Sequence, residues 1–178
     1  MNISLINYKF FSDRYIIFEK NGKGKEYNKY NDKLIFEGEY LNGKRNGKGK
    51  EYVIDGKLLF DGEYLNGQKN GKGKEYNYDV ELIFEGEYLN GNKWNGKGKE
   101  YNYNGKLKFE GEFLNGKKNG KGKEYFNNGK LKFEGEYING KRNGKGKEYY
   151  YSGKLEFEGE YLNGKRNGKG KEYNYFEN

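Results

Sequence analysis

The chain has 178 residues and a net charge of +8, with 32% hydrophobic against 35% charged residues, which places it near the polar edge of sequences that fold. It contains no cysteine, histidine, proline, alanine or threonine, which excludes disulfides, thiol catalysis, Cys-ligated zinc and a Ser-His-Asp triad. Its apolar inventory is aromatic instead, 20 Tyr and 12 Phe, and 30 glycines spread along the chain weaken any helix by about 1 kcal/mol each relative to alanine, so short strands are predicted throughout.

The opening stretch, Met1 to Phe18, is interrupted by Asn7, Lys9, Ser12, Asp13 and Arg14 and reads as neither a signal peptide nor a membrane span. Residues 1–35 form an N-terminal cap and a degenerate first repeat, aligned from Phe11, with Asp13 in place of a glycine and Tyr15 aligned with Tyr40. From there the string Phe-Glu/Asp-Gly-Glu-Tyr/Phe recurs at Phe36, Phe60, Phe84, Phe109, Phe133 and Phe157. This divides residues 36–178 into repeats at 36–59, 60–83, 84–108, 109–132, 133–156 and 157–178. The third is one residue longer than its neighbours, and the extra residue lies beside Trp94. Atypical ends are what a stacked array needs as caps.

Within a repeat, Lys57 to Leu65 reads as one strand and Lys72 to Tyr78 as a second, with Asn66 to Gly71 as the loop between them. The junctions between repeats, Asp55-Gly56, Asn104-Gly105, Asn128-Gly129 and Ser152-Gly153, read as two-residue hairpin turns. Closing the loop with Leu41 facing Lys48 sets Glu39 opposite Lys50. Closing the junction with Ile54 facing Lys57 sets Lys50 opposite Asp61, Lys48 opposite Glu63 and Gly49 opposite Gly62. On that register one face carries Leu58, Phe60, Gly62 and Tyr64, and the other carries a Glu/Lys ladder with the Tyr52 and Leu41 series. The glycines let rings lie flat on the backbone. The predicted fold is all-β: an elongated, single-layer antiparallel meander of stacked β-hairpin repeats.

The run Phe36 to Gly49, Phe-Glu-Gly-Glu-Tyr-Leu-Asn-Gly-Lys-Arg-Asn-Gly-Lys-Gly, returns unchanged from Phe157 to Gly170 and resembles a MORN repeat. The likeness is strong over residues 36–178 and weak over 11–35. The tyrosine three residues after Gly49, at Tyr52, sits one place later than in many MORN units. With the Asn-Gly-Lys-Leu links, this spacing is similar to the antitoxin-type MORN variant. The resemblance implies a hairpin solenoid serving as an interaction or dimerisation module, with an affinity for anionic phospholipids often proposed for such repeats. An antitoxin-like or immunity role follows from the same analogy.

Catalytic, metal and cofactor sites are not predicted. Glu37 and Glu39 belong to a repeated ladder flanked by lysines, unlike a glycosidase pair. The Gly43 to Gly49 stretch lacks the Ser/Thr and the helix N-terminus of a phosphate loop. Two candidate surfaces remain. A basic ridge at the loops, Lys44, Arg45, Lys48, Lys117, Lys118, Lys141, Arg142, Lys165 and Arg166, would confer solubility in the first place or, as the sharper alternative, attract anionic lipid; no RNA-binding motif supports nucleic acid. A groove on the aromatic face, with Phe60, Tyr64, Phe84, Tyr88, Trp94, Phe109, Phe113, Phe133 and Tyr137, would hold a peptide or helix, or serve as core. The expected protein is a non-enzymatic scaffold, intracellular and cytoplasmic or peripheral to a membrane. Its partner would be another protein, or itself as a homodimer through end strands, or an anionic membrane surface.

Overall fold

The structure, a computed structural model, describes residues 7–19 and 21–176. The first six residues of the predicted cap and the last two of the seventh repeat lie outside the described residues. The chain divides into two compact units, residues 1–93 and 94–178, and the division falls within the lengthened repeat.

The first unit contains β1 (Asn7–Phe10), β2 (Arg14–Phe18), β3 (Lys23–Asn28), β4 (Leu34–Leu41), β5 (Lys44–Tyr52), β6 (Leu58–Leu65), β7 (Gln68–Tyr76) and β8 (Leu82–Leu89). β9 (Asn92–Tyr101) starts at the division, and the second unit continues with β10 (Leu107–Leu114), β11 (Lys117–Tyr125), β12 (Leu131–Ile138), β13 (Lys141–Tyr149), β14 (Leu155–Leu162) and β15 (Lys165–Glu172). In each unit the strands lie side by side in chain order and antiparallel, an all-β meander of consecutive hairpins with no helix among the described residues.

Turn chemistry differs from the sequence reading at both ends of the hairpin. The predicted six-residue loop is a two-residue turn: Asn42 and Gly43 take φ of 51° and 73°, and Leu41 pairs with Lys44. Positive φ at both positions is the geometry that matches strand twist, and Asn-Gly is its strongest signal. The chain then carries two extra residues on the returning strand between the Tyr40–Arg45 and Gly38–Gly49 pairs, a bulge containing Gly47 at φ 88°. In the next repeat the matching bulge is held by Glu63, whose Oε2 accepts the Lys72 N–H at 3.0 Å. The consequence is a shift of two residues: Lys50 faces Glu37, not Glu39. An even shift keeps every side chain on its predicted face.

At the junctions the predicted pairs are present, Lys50 with Asp61, Gly49 with Gly62 and Lys48 with Glu63. The turn itself has three residues. Gly56 donates to the Val53 carbonyl at 2.8 Å while Val53 donates to Lys57 at 2.9 Å, a type I turn closed by a left-handed glycine. Val80 occupies that left-handed place in its own junction at φ 62°, a strained conformation for a β-branched residue.

The core is the row Phe36, Phe60 and Phe84 in the first unit and Phe109, Phe133 and Phe157 in the second, 0–7% exposed. The Phe36, Phe60, Phe109, Phe133 and Phe157 rings each lie on two glycines: a Cβ at Gly62 would stand 2.6 Å from Phe60 Cζ, and one at Gly73 2.5 Å from the same atom. Tyrosines wedge edge-on between successive rings, with Tyr64 at 5.2 Å from Phe36 and 5.5 Å from Phe60, and Tyr137 at 5.4 Å from Phe109 and 5.6 Å from Phe133. Each buried Phe contributes about 1.5–3 kcal/mol, and the edge-to-face contacts add about 0.5–1.5 kcal/mol each. A chain poor in aliphatics holds together this way.

Candidate functional site

The strand pairing that puts Phe36 opposite Glu51 and Tyr40 opposite Arg45 places charge on the aromatic face. Arg45 lies 4.0 Å above the Phe36 ring and reaches Glu26 through Nε and Nη2 at 2.9 and 3.0 Å, and Glu51 through Nη1. Tyr40 donates its hydroxyl to the same Glu26 at 2.7 Å. The motif repeats in the second unit: Arg142 sits 4.1 Å above Phe133, paired with Glu124 at 2.7 Å and Glu148 at 2.8 Å, and Tyr137 donates to Glu124 at 2.8 Å. Lys69 and Lys118 take the same place over Phe60 and Phe109, at 4.2 and 3.9 Å. A cation on a ring face, pinned by carboxylates, roofs each Phe.

This layer sets the titration of its members. Burial alone would raise Glu26, but the Arg45 hydrogen bonds and charge, the Tyr40 hydroxyl and Arg14 outweigh it and hold the carboxyl below its ordinary value. Glu124 is lowered in the same way, burial being outweighed by Arg142, Tyr137 and Lys118. Tyr137 is raised, first by burial and then by the Glu124 charge. Tyr161 is pushed up to about 12 by burial and Glu148.

The predicted surfaces therefore change character. Phe60, Phe84, Phe109, Phe133, Tyr64, Tyr88 and Tyr137 are buried, and Phe113 and Trp94 are half-buried, so a partner on this face would meet the charged roof before the rings. The groove reading of the seven buried residues gives way to a core reading. The predicted basic ridge splits in two. Arg45, Lys118, Arg142 and Arg166 turn onto the aromatic face and are paired with glutamates. Lys44, Lys48, Lys117, Lys141 and Lys165 remain exposed.

What stands outward at the hairpin tips is an aliphatic residue in each of the six repeats from residue 36 onward: Leu41, Leu65 and Leu89 in the first unit, Leu114, Ile138 and Leu162 in the second, 40–58% exposed. Leu41 pairs with Lys44, Leu114 with Lys117, Ile138 with Lys141 and Leu162 with Lys165. The tips are tied from repeat to repeat. Gly67 donates to the Arg45 carbonyl at 2.8 Å and Asn66 to Asn46 Oδ1 at 3.3 Å, and Gly140 and Asn139 do the same with Lys118 and Asn119. Among the described residues no group of three His, Cys, Asp or Glu side chains gathers where it could hold a metal ion.

The family model of the MORN repeat matches residues 36–57, 60–79, 109–130, 133–154 and 157–174, more than half of the chain. The chain belongs to the MORN-repeat family. A comparison with curated proteins found no match. The MORN matches pass over residues 84–108, the repeat lengthened at Trp94, where the tip bond shifts by one residue: Gly116 donates to the Trp94 carbonyl, not to that of Lys93. Lys93 still covers its ring, 5.3 Å from Phe84 and 3.5 Å from Glu75. The insertion is absorbed at the tip and leaves the MORN core pattern in place.

Sequence reasoning missed the glutamates of the roof, Glu26, Glu51, Glu75, Glu100, Glu124 and Glu148. Their signal was present, since Glu51 lies two residues from Gly49 and so on the same strand face. It also missed the Asn46, Asn70 and Asn119 series that ties tip to tip.

Proposed function

We propose that this MORN-repeat chain is a non-enzymatic scaffold that engages its target along the hairpin tips, and that the surface this edge fits best is an anionic membrane. The observation that supports the reading is the exposed aliphatic side chain at each of these six tips, paired in four tips with an exposed lysine. An edge built only for solubility would carry charge without a recurring leucine. Aliphatic tips reach the acyl boundary while lysines stay at the headgroups, each lysine contributing about 1 kcal/mol near an anionic leaflet. Self-association through β15 is less favoured. Its Lys165, Arg166, Lys169 and Lys171 outnumber Glu172, so a second copy of the strand would set like charges opposite one another.

Flotation with neutral and phosphatidylserine-containing vesicles tests the proposal. Binding is expected only to the anionic vesicles, weakening with salt and with the combined change Leu114→Ser, Ile138→Ser and Leu162→Ser. Failure of the wild-type chain to float with anionic vesicles at low salt would overturn the membrane reading and direct the search to a protein partner at the same tips.

A further inference from the structure

The geometry points to a specific kind of recognition: the tip edge of the second unit reads the charge density of a membrane surface and does not recognise a single phosphorylated headgroup. This rests on the membrane reading above. The inference starts from where the arginines are. A guanidinium fork is the group that binds phosphate bidentately, whereas a lysine ammonium acts as a point charge. Arg45, Arg142 and Arg166 lie beside the tips in sequence, yet all three are spent on the aromatic face. Arg142 bridges Glu124 and Glu148, and Arg166 bridges Glu148, Glu156 and Glu172, each also capping a Phe ring. Releasing one to a ligand would strand its glutamates.

The lysines left outside do not form a cradle. Lys121 and Lys145, at the bulges, face Glu136 and Glu160 across the strand pair, which offsets their charge. That leaves Lys169 on β15 and the row Lys117, Lys141 and Lys165, each of the row exposed at its own tip opposite Leu114, Ile138 or Leu162, and none of the four forms an ion pair among the described residues. Successive tips are two strands apart, about 9.6 Å. A row of separate ammonium groups at that spacing, each beside an aliphatic anchor, fits several dispersed anionic headgroups. It offers no convergent donors to one polyphosphorylated ring. The tip backbone is closed as well, since the Gly140 and Gly164 N–H groups are already donated to Lys118 and Arg142 carbonyls. The first unit lacks this row: its tips carry Lys44, Gln68 and Asn92.

The test compares vesicles containing phosphatidylserine with vesicles containing phosphatidylinositol bisphosphate, matched in surface charge, using the full chain. Partition is expected to agree within about twofold, soluble inositol trisphosphate is expected not to compete, and Lys117→Gln, Lys141→Gln and Lys165→Gln together should lower partition on the order of a hundredfold, about fivefold per lysine. Replacing Lys44→Gln alone should cost no more than about fivefold. Bisphosphate vesicles bound more than about tenfold tighter at equal charge, or competition by the soluble headgroup, would overturn the inference while leaving membrane docking intact. Binding to neither vesicle would overturn both. Circular dichroism of the triple variant separates lost binding from lost fold.

Discussion

The two units use one core and differ at their edges. In the first, the roof cations are Arg45, Lys69 and Lys93, the tips carry Lys44, Gln68 and Asn92, and one junction holds Val80 in a left-handed conformation. In the second, every tip from Lys117 onward is a lysine, and the junctions are tied to one another: Lys106 Nζ donates to the Asn127 carbonyl at 2.8 Å and Lys130 Nζ to that of Ser152 at 2.6 Å. The corresponding Lys57 of the first unit turns instead to Asp55 in its own turn, and Glu81 stands where another lysine would be. Rings over glycine allow almost no variation, so the repeats differ where side chains face water. Those differences set local stability and what each edge can bind.

The comparison would break first at the core, where the units should behave alike. Gly73→Val and Gly146→Val each drive a side chain into a Phe ring, Phe60 or Phe133, that lies 2.5 Å from the added Cβ. Each should cost about 3 kcal/mol or more, measured by urea denaturation, with near-equal values in the two units. A mild effect in one unit alone would mean that its ring is not shelved as described.

Next comes the roof, where the units should differ. Arg142→Met leaves Glu124 and Glu148 without their shared partner and should cost about 2 kcal/mol, less than a fully buried pair because all three side chains keep some water contact. Lys69→Met removes one ion pair to Glu51 and should cost about 1 kcal/mol. The pH dependence follows the same groups. Glu26, Glu124 and Glu148 are lowered in the folded state, so their contribution is full above the ordinary carboxylate value and is lost as pH falls through the folded one. The half-buried Tyr40 and the buried Tyr88 and Tyr137 are raised, so their contribution is lost as pH climbs beyond the ordinary phenol value. Thermal melts should show both flanks, and Arg142→Met should flatten the acid one.

How far these residues could be read from the sequence depended on what kind of neighbour they needed. The Phe-Gly-Tyr face was legible because its period is two and its glycines repeat. The bulge was not, because Asn46-Gly47 carries the same turn chemistry as Asn42-Gly43 and the two merge into one apparent loop. Only backbone geometry shows that the first pair turns the chain and the second twists it. Arg45 was read as outward because it sits in a charged loop sequence. Its inward turn depends on a ring beneath it and on Glu26 from the preceding repeat, a neighbour 19 residues away.

The smallest effects belong to the junctions. Val80→Gly should stabilise the first unit by about 1 kcal/mol by relieving the left-handed strain. Lys130→Met should loosen the second unit by about 0.5–1 kcal/mol, seen as faster amide exchange around Ser152 and little change elsewhere.

Aromatic rings lying on glycine backbone leave a direct magnetic signature. In a proton NMR spectrum of the assigned chain, the Hα resonances of Gly49, Gly62, Gly73, Gly122, Gly135 and Gly146 should be displaced far upfield by the ring currents of Phe36, Phe60, Phe109 and Phe133, while those of the open turn glycines Gly56, Gly105 and Gly129 stay at ordinary positions. Ordinary shifts for both sets would mean that the rings do not rest where the account puts them.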